Sequence, residues 1–485
     1  MTDDREQNAE VVVLGAGVAG YPCAIRLAQL GKKVIVIDRA EIGGVCLNRG
    51  CIPSKALISG GTLFHRLSHA SEMGIEVNGA KLDLSKLIEW KDSVVKKLTS
   101  GVSMLLKANG CTVIQGDARF LSDKALEVAT ADGKLKVNFQ NCVVATGSRV
   151  TALRGFEVDQ KQIVDSTGAL SLRKRPESMV CIGGGYIGLE LGMFYAKIGT
   201  KVTVVEAMSS LLAGVDAELV QVVRKKLEKL GVEVLTDTRV LGHKKQKNGV
   251  VVTVSGKNGE RNLDCDAVLV TIGRTPNSDG FGLDKAGIQV DSKGFIPVDP
   301  QRRTRVSHIF AIGDVAGQPL LAHKGTKEGL VAADAIAGKK TIYDVIAMPA
   351  VIFTDPEIAT VGLTEAEAKA KGHEPKIGLF PFAANGRALS MGEPDGMVKM
   401  VADAKTGKLL GVHIVGPEAS NLISEAALAL EMGAYVEDLA LTVHPHPTLG
   451  EVLMEAAEAT LGHPIHIYQR KPRERSGAST SPATS

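Results

Sequence analysis

Val11-Val12-Val13-Leu14-Gly15-Ala16-Gly17-Val18-Ala19-Gly20 runs a short apolar stretch straight into Gly-x-Gly-x-x-Gly. A segment of helical period follows, then the apolar run Val34–Ile37, which stops at Asp38. The pattern returns once: Met179–Ile182 leads into Gly183-Gly184-Gly185-Tyr186-Ile187-Gly188, a helix, and Val202–Val205 ending at Glu206. In both copies the acid lies 18 positions after the last glycine. One such glycine pattern matches many turns. Two copies, each between strand and helix with an acid beyond, predict two dinucleotide-binding βαβ units. The glycines permit a tight turn and let a pyrophosphate approach backbone N–H groups at a helix N-terminus, and the acids can accept from ribose hydroxyls. Each unit closes with an apolar strand stopping at glycine, Val143-Val144-Ala145-Thr146-Gly147 and Val268-Leu269-Val270-Thr271-Ile272-Gly273. Open α/β sheets bind their ligands at such strand C-termini. Before these closing strands, Glu127–Asn138 and Val250–Leu263 alternate like antiparallel hairpins. An α/β fold with two Rossmann-like domains is expected.

The length of 485 residues predicts about three or four domains. The 44% apolar content and 53 glycines suit glycine-punctuated α/β layers. Seven scattered cysteines are too few for a secreted disulfide framework and point to a cytoplasmic protein whose disulfide, if any, is catalytic. No apolar run reaches the roughly 18 residues that span a bilayer, and the acidic, polar start to Glu10 reads as neither signal nor transit peptide. A membrane role is not expected. The net charge of +3 is matched by the tail alone, where Arg470, Lys471, Arg473 and Arg475 face Glu474. A nearly neutral body gives no reason to expect a nucleic-acid surface. The Ser/Thr/Ala-rich segment 471–485 reads as a disordered tail.

Directly after the first unit comes Gly43-Gly44-Val45-Cys46-Leu47-Asn48-Arg49-Gly50-Cys51-Ile52-Pro53-Ser54-Lys55. Pro53 fits the first turn of a helix, placing Cys51 at a helix N-terminus, where unpaired N–H groups favour a thiolate. Lys55 returns to the same face one turn on. A redox dithiol beside a bound dinucleotide is one reading. A zinc half-site lacks a second Cys pair elsewhere, and two buried structural cysteines are the other alternative.

From about Val11 to about Ile467 these motifs resemble the flavin-dependent pyridine nucleotide–disulfide oxidoreductases, and most closely their branch acting on dihydrolipoyl groups. The resemblance implies FAD on the first unit, held by Gly15, Gly17, Gly20, Asp38, Gly44, Lys55, Ala118, Thr146 and Gly147. It adds Asp314, at the end of Ile309-Phe310-Ala311-Ile312-Gly313-Asp314, and Ala322. A strand-end Asp could instead cap the following helix. NAD is implied on the second unit at Gly183, Gly185, Gly188, Glu206, Val240 and Gly273. Cys46 and Cys51 would form the redox disulfide, Cys46 exchanging with substrate and Cys51 facing the flavin. Glu190 would pair with Lys55 near the flavin ring. Its alternative is a surface helix glutamate, although a first-turn position argues for a specific partner.

In Val443-His444-Pro445-His446-Pro447-Thr448-Leu449-Gly450-Glu451 the resemblance makes His446 the acid–base and Glu451 its orienting partner. A pKa near neutrality suits His for that task. His444 lacks the following Pro-Thr and is read as structural. Arg49 departs from the small apolar residue many members carry there; the added cation could tune the thiolate or the flavin. No metal is implied. The implied domains are 1–149 (FAD), 150–276 (NAD), 277–346 (completing the FAD site) and 347–470 (a C-terminal α+β dimerisation domain making a homodimer). In the last, Pro349–Phe353, Gly396–Val401 and Leu409–Ile414 read as strands, and Ser420–Gly433 and Leu449–Leu461 as helices. The implied substrates are dihydrolipoyl groups on lipoyl domains, and the implied partner is the acyltransferase core of a 2-oxoacid dehydrogenase complex, with a glycine cleavage complex as the other setting. Among relatives, a glutathione-type reductase would want basic residues after Glu206, and a mercuric reductase a vicinal cysteine pair near the C-terminus. A transhydrogenase would have no need of Cys46 and Cys51.

Overall fold

A computed structural model describes residues 5–468. The expected disordered tail at 471–485 lies outside the described residues. The chain forms two compact units, one running to Val345 and including Ile352–Thr354, the other formed by Ile346–Val351 and the chain from Asp355 onward.

The first unit is built on two parallel-type sheets. Val11, Val12 and Val13 are wholly buried, as expected for a strand covered on both faces. The strand itself is longer than the apolar run, spanning Arg5–Leu14. Its polar start pairs in parallel with Gly133–Val144, from Arg5 opposite Leu135 to Leu14 opposite Val144. The ladder bonds backbone to backbone, so a polar stretch can extend a strand that its apolar half anchors. Val34–Asp38 lies on the other side of this strand, and Thr112–Gln115 extends that edge. Ile309–Ala311 pairs in parallel with residues 142–144. That pairing brings Asp314 to the strand ends where Gly15 and Gly147 turn.

The second sheet orders Glu233–Leu235, Lys201–Val205, Ser178–Ile182, Ala267–Val270 and Ile163–Val164, all parallel. Residues 239–265 form the expected antiparallel addition as three strands. A two-stranded ribbon, Ser148–Val150 against Arg274–Pro276, joins the chain entering this sheet to the chain leaving it.

The second unit holds a sheet ordered Ala350–Ile352, Glu357–Gly362, Leu409–Gly416, Met397–Asp403, Pro375–Pro381. Helices Ala419–Glu431 and Glu451–Leu461 belong with it, close to the expected ranges. Strands Glu357–Gly362 and Pro375–Pro381 were not expected. Pro375, Gly378 and Pro381 hide the second one, since both residue types are depleted in strand interiors. Gly378 is there for closeness: a Cβ would stand 2.4 Å from Ala456 O and 2.5 Å from Thr460 N of the covering helix. Among the described residues no helix is long and apolar enough to cross a membrane.

Candidate active site

Both glycine loops are built alike. Gly15 (φ +106°) and Gly183 (φ +107°) turn the chain where a Cβ would strike Ala145 O at 2.3 Å and Thr271 O at 2.5 Å. Gly20 and Gly188 each lie against the carbonyl of the loop's first glycine, so the helix can start only if they lack a side chain. Gly185 has nothing within 4 Å of a Cβ position and leaves its face open to a ligand. The two acids serve the loops as well as facing outward. Asp38 accepts from Ala16 N–H at 2.6 Å, and Glu206 accepts from Gly184 N–H at 2.7 Å. Their remaining lone pairs can still take ribose hydroxyls.

The two cysteines sit on consecutive short and long helices, Gly44–Arg49 and Cys51–Leu67. Cys51 is the first residue of the longer helix, and Pro53 lies in its first turn, as expected. The unbridged sulfurs are hydrogen-bonded to each other. The Cys46 thiol bond and, after the opposing cost of burial, the Lys55 ammonium bring the Cys51 thiol down to about 7. The same bond and burial push the Cys46 thiol far up. One thiolate, on Cys51, is what this arrangement favours. Arg49 pairs with Glu41 at 2.9 Å, which offsets much of the added charge near the sulfurs.

Lys55 Nζ donates to Glu190 Oε2 at 2.7 Å. Glu190 is 4% exposed and is no surface glutamate. It also lies beyond the first turn, as the fifth residue of helix Tyr186–Lys197, so the first-turn argument for a partner does not apply. Its partner is explained by burial instead, because a buried carboxylate requires compensation.

Asp314 is in a 3-10 turn, Gly313–Ala316, whose N-cap is Ile312, so Asp314 does not cap it. Its carboxylate accepts from Ser148 Oγ, and Arg274 Nε donates to the same Ser148 oxygen at 2.7 Å. Thr146 and Gly147 are locked by Asn277, whose side chain donates to Thr146 O and whose N–H donates to Gly147 O. Behind the Asp314 turn, wholly buried Glu328 accepts from Gly313 N–H at 2.7 Å and Arg302 Nη1 at 2.6 Å, with Lys324 Nζ 3.2 Å away. Lys324 also donates to Gly313 O and Gly317 O. Ser148, Arg274, Lys324 and Glu328 were not singled out from sequence. Lys324 and Glu328, four apart, look like an ordinary solvated helix pair until the fold buries them. Glu328→Ala should strip the countercharge from buried Lys324 and half-buried Arg302 and cost about 3–5 kcal/mol. Chemical denaturation of the holoenzyme checks this, and a loss below about 1 kcal/mol would refute it.

These groups share one cavity of about 340 Å³. Gly15, Gly17, Asp38, Gly44, Ala118, Thr146, Gly147, Asp314 and Ala322 line it, together with Cys46, Cys51, Lys55 and Glu190. Gly20 stays behind as packing. A cradle of bare glycines, an acid at each end and a thiol on its wall fit FAD. Gly183, Gly185, Gly188, Glu206, Val240 and Gly273, from the second βαβ repeat of the first unit, lie outside this cavity, around their own glycine loop. Val240 packs its side chain against an apolar core, leaving only its backbone to offer a nucleotide.

In the second unit, His446 Nδ1 meets Glu451 Oε1 at 2.8 Å, and Thr448 N–H holds the other oxygen at 2.8 Å. Burial raises the Glu451 carboxyl, but the Thr448 N–H and the His446 ring hold it below the usual range. The His446 side chain is 78% exposed, its free nitrogen available for proton transfer. His444 is buried between Thr442 O and Glu425 Oε1, with both ring nitrogens engaged.

Known proteins match this arrangement along nearly the whole chain. Residues 9–329 match the pyridine nucleotide-disulphide oxidoreductase model, and 348–457 match that family's dimerisation domain. A dihydrolipoyl dehydrogenase of Geobacillus stearothermophilus is 48% identical over 95% of this chain and 98% of its own. One from Haloferax volcanii is 46% identical over 96% and 99%. Among solved structures, LpdA of Mycobacterium tuberculosis superposes with a TM-score of 0.87 at 28% identity, covering 93% of this chain and 99% of that one. The flavoprotein disulfide reductase RclA of Escherichia coli reaches 0.82 at 28% identity, over 92% and 98%. With two glycine loops, a paired dithiol and a C-terminal domain all matched in order, the chain belongs to the pyridine nucleotide-disulphide oxidoreductase family.

Proposed function

We propose that this oxidoreductase, which uses FAD and NAD as its family does, oxidises dihydrolipoyl groups to the lipoyl disulfide. The observation that carries the reading is the depressed Cys51 thiol beside Lys55, opening onto the cavity lined by the first glycine loop. The near-half identity to dihydrolipoyl dehydrogenases over almost full length supports the substrate.

In this reading His446, steadied by Glu451, takes the proton of one substrate thiol. The resulting thiolate attacks Cys46 Sγ, forming a substrate–Cys46 disulfide and breaking the Cys46–Cys51 bond, whose electron pair leaves on Cys51. Deprotonated in turn, the second substrate thiol attacks the substrate sulfur bound to Cys46. That closes the lipoyl ring and frees Cys46, which takes up a proton. Cys51 suits the leaving role because a lower pKa makes a better leaving thiolate. FAD held by Gly15, Gly17, Asp38, Gly44 and Asp314 would supply the two-electron chemistry that links the Cys51 thiolate to NAD⁺. Lys55 stabilises the Cys51 thiolate, and Glu190 holds Lys55.

The dimerisation domain supports a homodimer. The identity to dihydrolipoyl dehydrogenases supports lipoyl domains as substrates, and the partner in this reading is the acyltransferase core of a 2-oxoacid dehydrogenase complex, or a glycine cleavage complex, in the cytoplasm. Anaerobic reduction of the purified holoenzyme with NADH tests the core of the reading. A long-wavelength thiolate-to-flavin band should form, and dihydrolipoamide should reduce the flavin at a catalytic rate. A flavin reduced by NADH without that band would sink it.

Nucleotide choice separates this reading from an NADP-linked disulfide reductase. Both Glu206 oxygens are held by backbone N–H groups at 2.7 Å, from Gly184 and Met208. A 2′-phosphate would meet that fixed anion, and Ala207–Leu212 contain no Arg or Lys to offset it. NAD(H) should be preferred by roughly 10²-fold or more in kcat/KM. Equal efficiency with NADP(H) in steady-state assays would revive the alternative.

A further inference from the structure

One aromatic residue touches both members of the Lys55–Glu190 pair. Phe353 belongs to the Ile352–Thr354 segment of the first unit. Its backbone N–H donates to Glu190 Oε1 at 2.9 Å, the oxygen that Lys55 does not use. The Lys55 ammonium lies 4.3 Å from the centroid of its ring. The ammonium is thus gripped from two sides, by a carboxylate that is nearly buried and by a π face. Glu190 has both oxygens engaged, and Lys55 and Cys51 line the same cavity.

We propose that Phe353 is a positioning residue for thiol–disulfide exchange, holding the Lys55 ammonium where it supports the Cys51 thiolate. A lysine on four rotatable bonds spreads its charge over many rotamers, and a ring beneath it removes those that point away. Glu190 alone would draw the ammonium toward itself and lessen its field at Cys51. The ring adds a second hold on the ammonium without adding a charge. The groups that act most on the Cys51 sulfur are Cys46, Lys55 and Glu190, with the Tyr186 hydroxyl beside them; Arg49, Glu41, Arg274 and Asp314 line the same cavity, Arg49 being paired with Glu41, and Lys55 is the cation that the Phe353 ring touches. The inference rests on the proposed redox role of Cys51.

The test is a pH titration of the thiolate-to-flavin band in holoenzyme reduced by two electrons. Phe353→Leu keeps the N–H to Glu190 and most of the apolar volume. The band midpoint should move up by about half a pH unit, the usual worth of such a contact. Phe353→Tyr should restore the wild-type midpoint. In a Lys55→Met background Phe353→Leu should add no shift, because the ring then has no cation to place. Phe353→Met, of similar volume, takes its place if the Leu variant does not retain flavin. An unmoved midpoint in the Leu or Met variant, a Tyr variant shifted as far as Leu, or a full shift persisting with Lys55→Met overturns the inference. Absence of the band in the wild-type enzyme would overturn the redox reading itself, and this inference with it.

Discussion

Cys51→Ser should remove both dihydrolipoamide turnover and the long-wavelength band while leaving FAD bound. Cys51 supplies the low-pKa sulfur that receives the electron pair, and a serine oxygen neither forms the disulfide nor ionises near pH 7. Loss of a residue that forms the covalent bond costs on the order of 10⁴–10⁶-fold. FAD should stay, because the glycine cradle, Asp38 and Asp314 are untouched. Cys46→Ser should lose turnover to a similar extent but keep the band, since the Cys51 thiolate survives. The pH dependence has a defined sign. Cys51 is lowered to about 7, so the band should grow as pH rises through that value and fade below it. With the serine hydroxyl donating in place of the Cys46 thiol, the Cys46→Ser band should titrate in the same direction. Reversed spectra in the two variants would exchange the roles assigned to the sulfurs.

His446→Gln should slow reduction of the flavin by dihydrolipoamide by roughly 10²–10⁴-fold. Glutamine can hydrogen-bond but cannot take a proton, and a substrate thiol with an ordinary pKa near 8.5 is mostly protonated at neutral pH. Reduction of the flavin by NADH should be nearly unchanged, because hydride transfer there calls for no base. Rapid-reaction measurement of each half-reaction separates the two. Equal losses in both would mean a misfolded enzyme or a misplaced base. Glu451 is expected to act only through the ring: its carboxylate is anchored by the Thr448 N–H and fixes the Nδ1 side, leaving the other nitrogen for substrate.

Most of the site's parts could be read along the chain because their physics is local. A glycine at φ +106°, a Pro in a first turn, a cysteine at a helix start and a histidine five residues before a glutamate all act over one or two turns of backbone. A pattern of residue types is enough to announce them. The duplication of the glycine loop also set the fold class, since a strand, a glycine turn and a helix can bury their apolar faces only in an α/β layer. Two of the five strands in the C-terminal sheet stayed hidden, and for Pro375–Pro381 the reason is that Gly378 answers to a helix packed on it and not to strand propensity.

Tertiary structure decided what surrounds those parts, and of the long-range contacts below only the Lys55–Glu190 pair was implied beforehand, by family resemblance. Glu190 lies 135 residues from Lys55 and 163 from Phe353, and Ser148 lies 166 from Asp314. No periodicity links such residues, and nothing in Lys324 or Glu328 as letters tells that both are buried behind the Asp314 turn. The polar start of the first strand is likewise ordered by its pairing with residues 135–139, through the backbone ladder and the bonds of Lys136 and Asn138 to the Glu6 and Asn8 side chains. Local sequence can specify which backbone turns and which sulfur ionises most readily. Where a charge is buried, what compensates it and which ring lies beneath it depend on chain segments that meet only when the sheets close, and so on the fold as a whole.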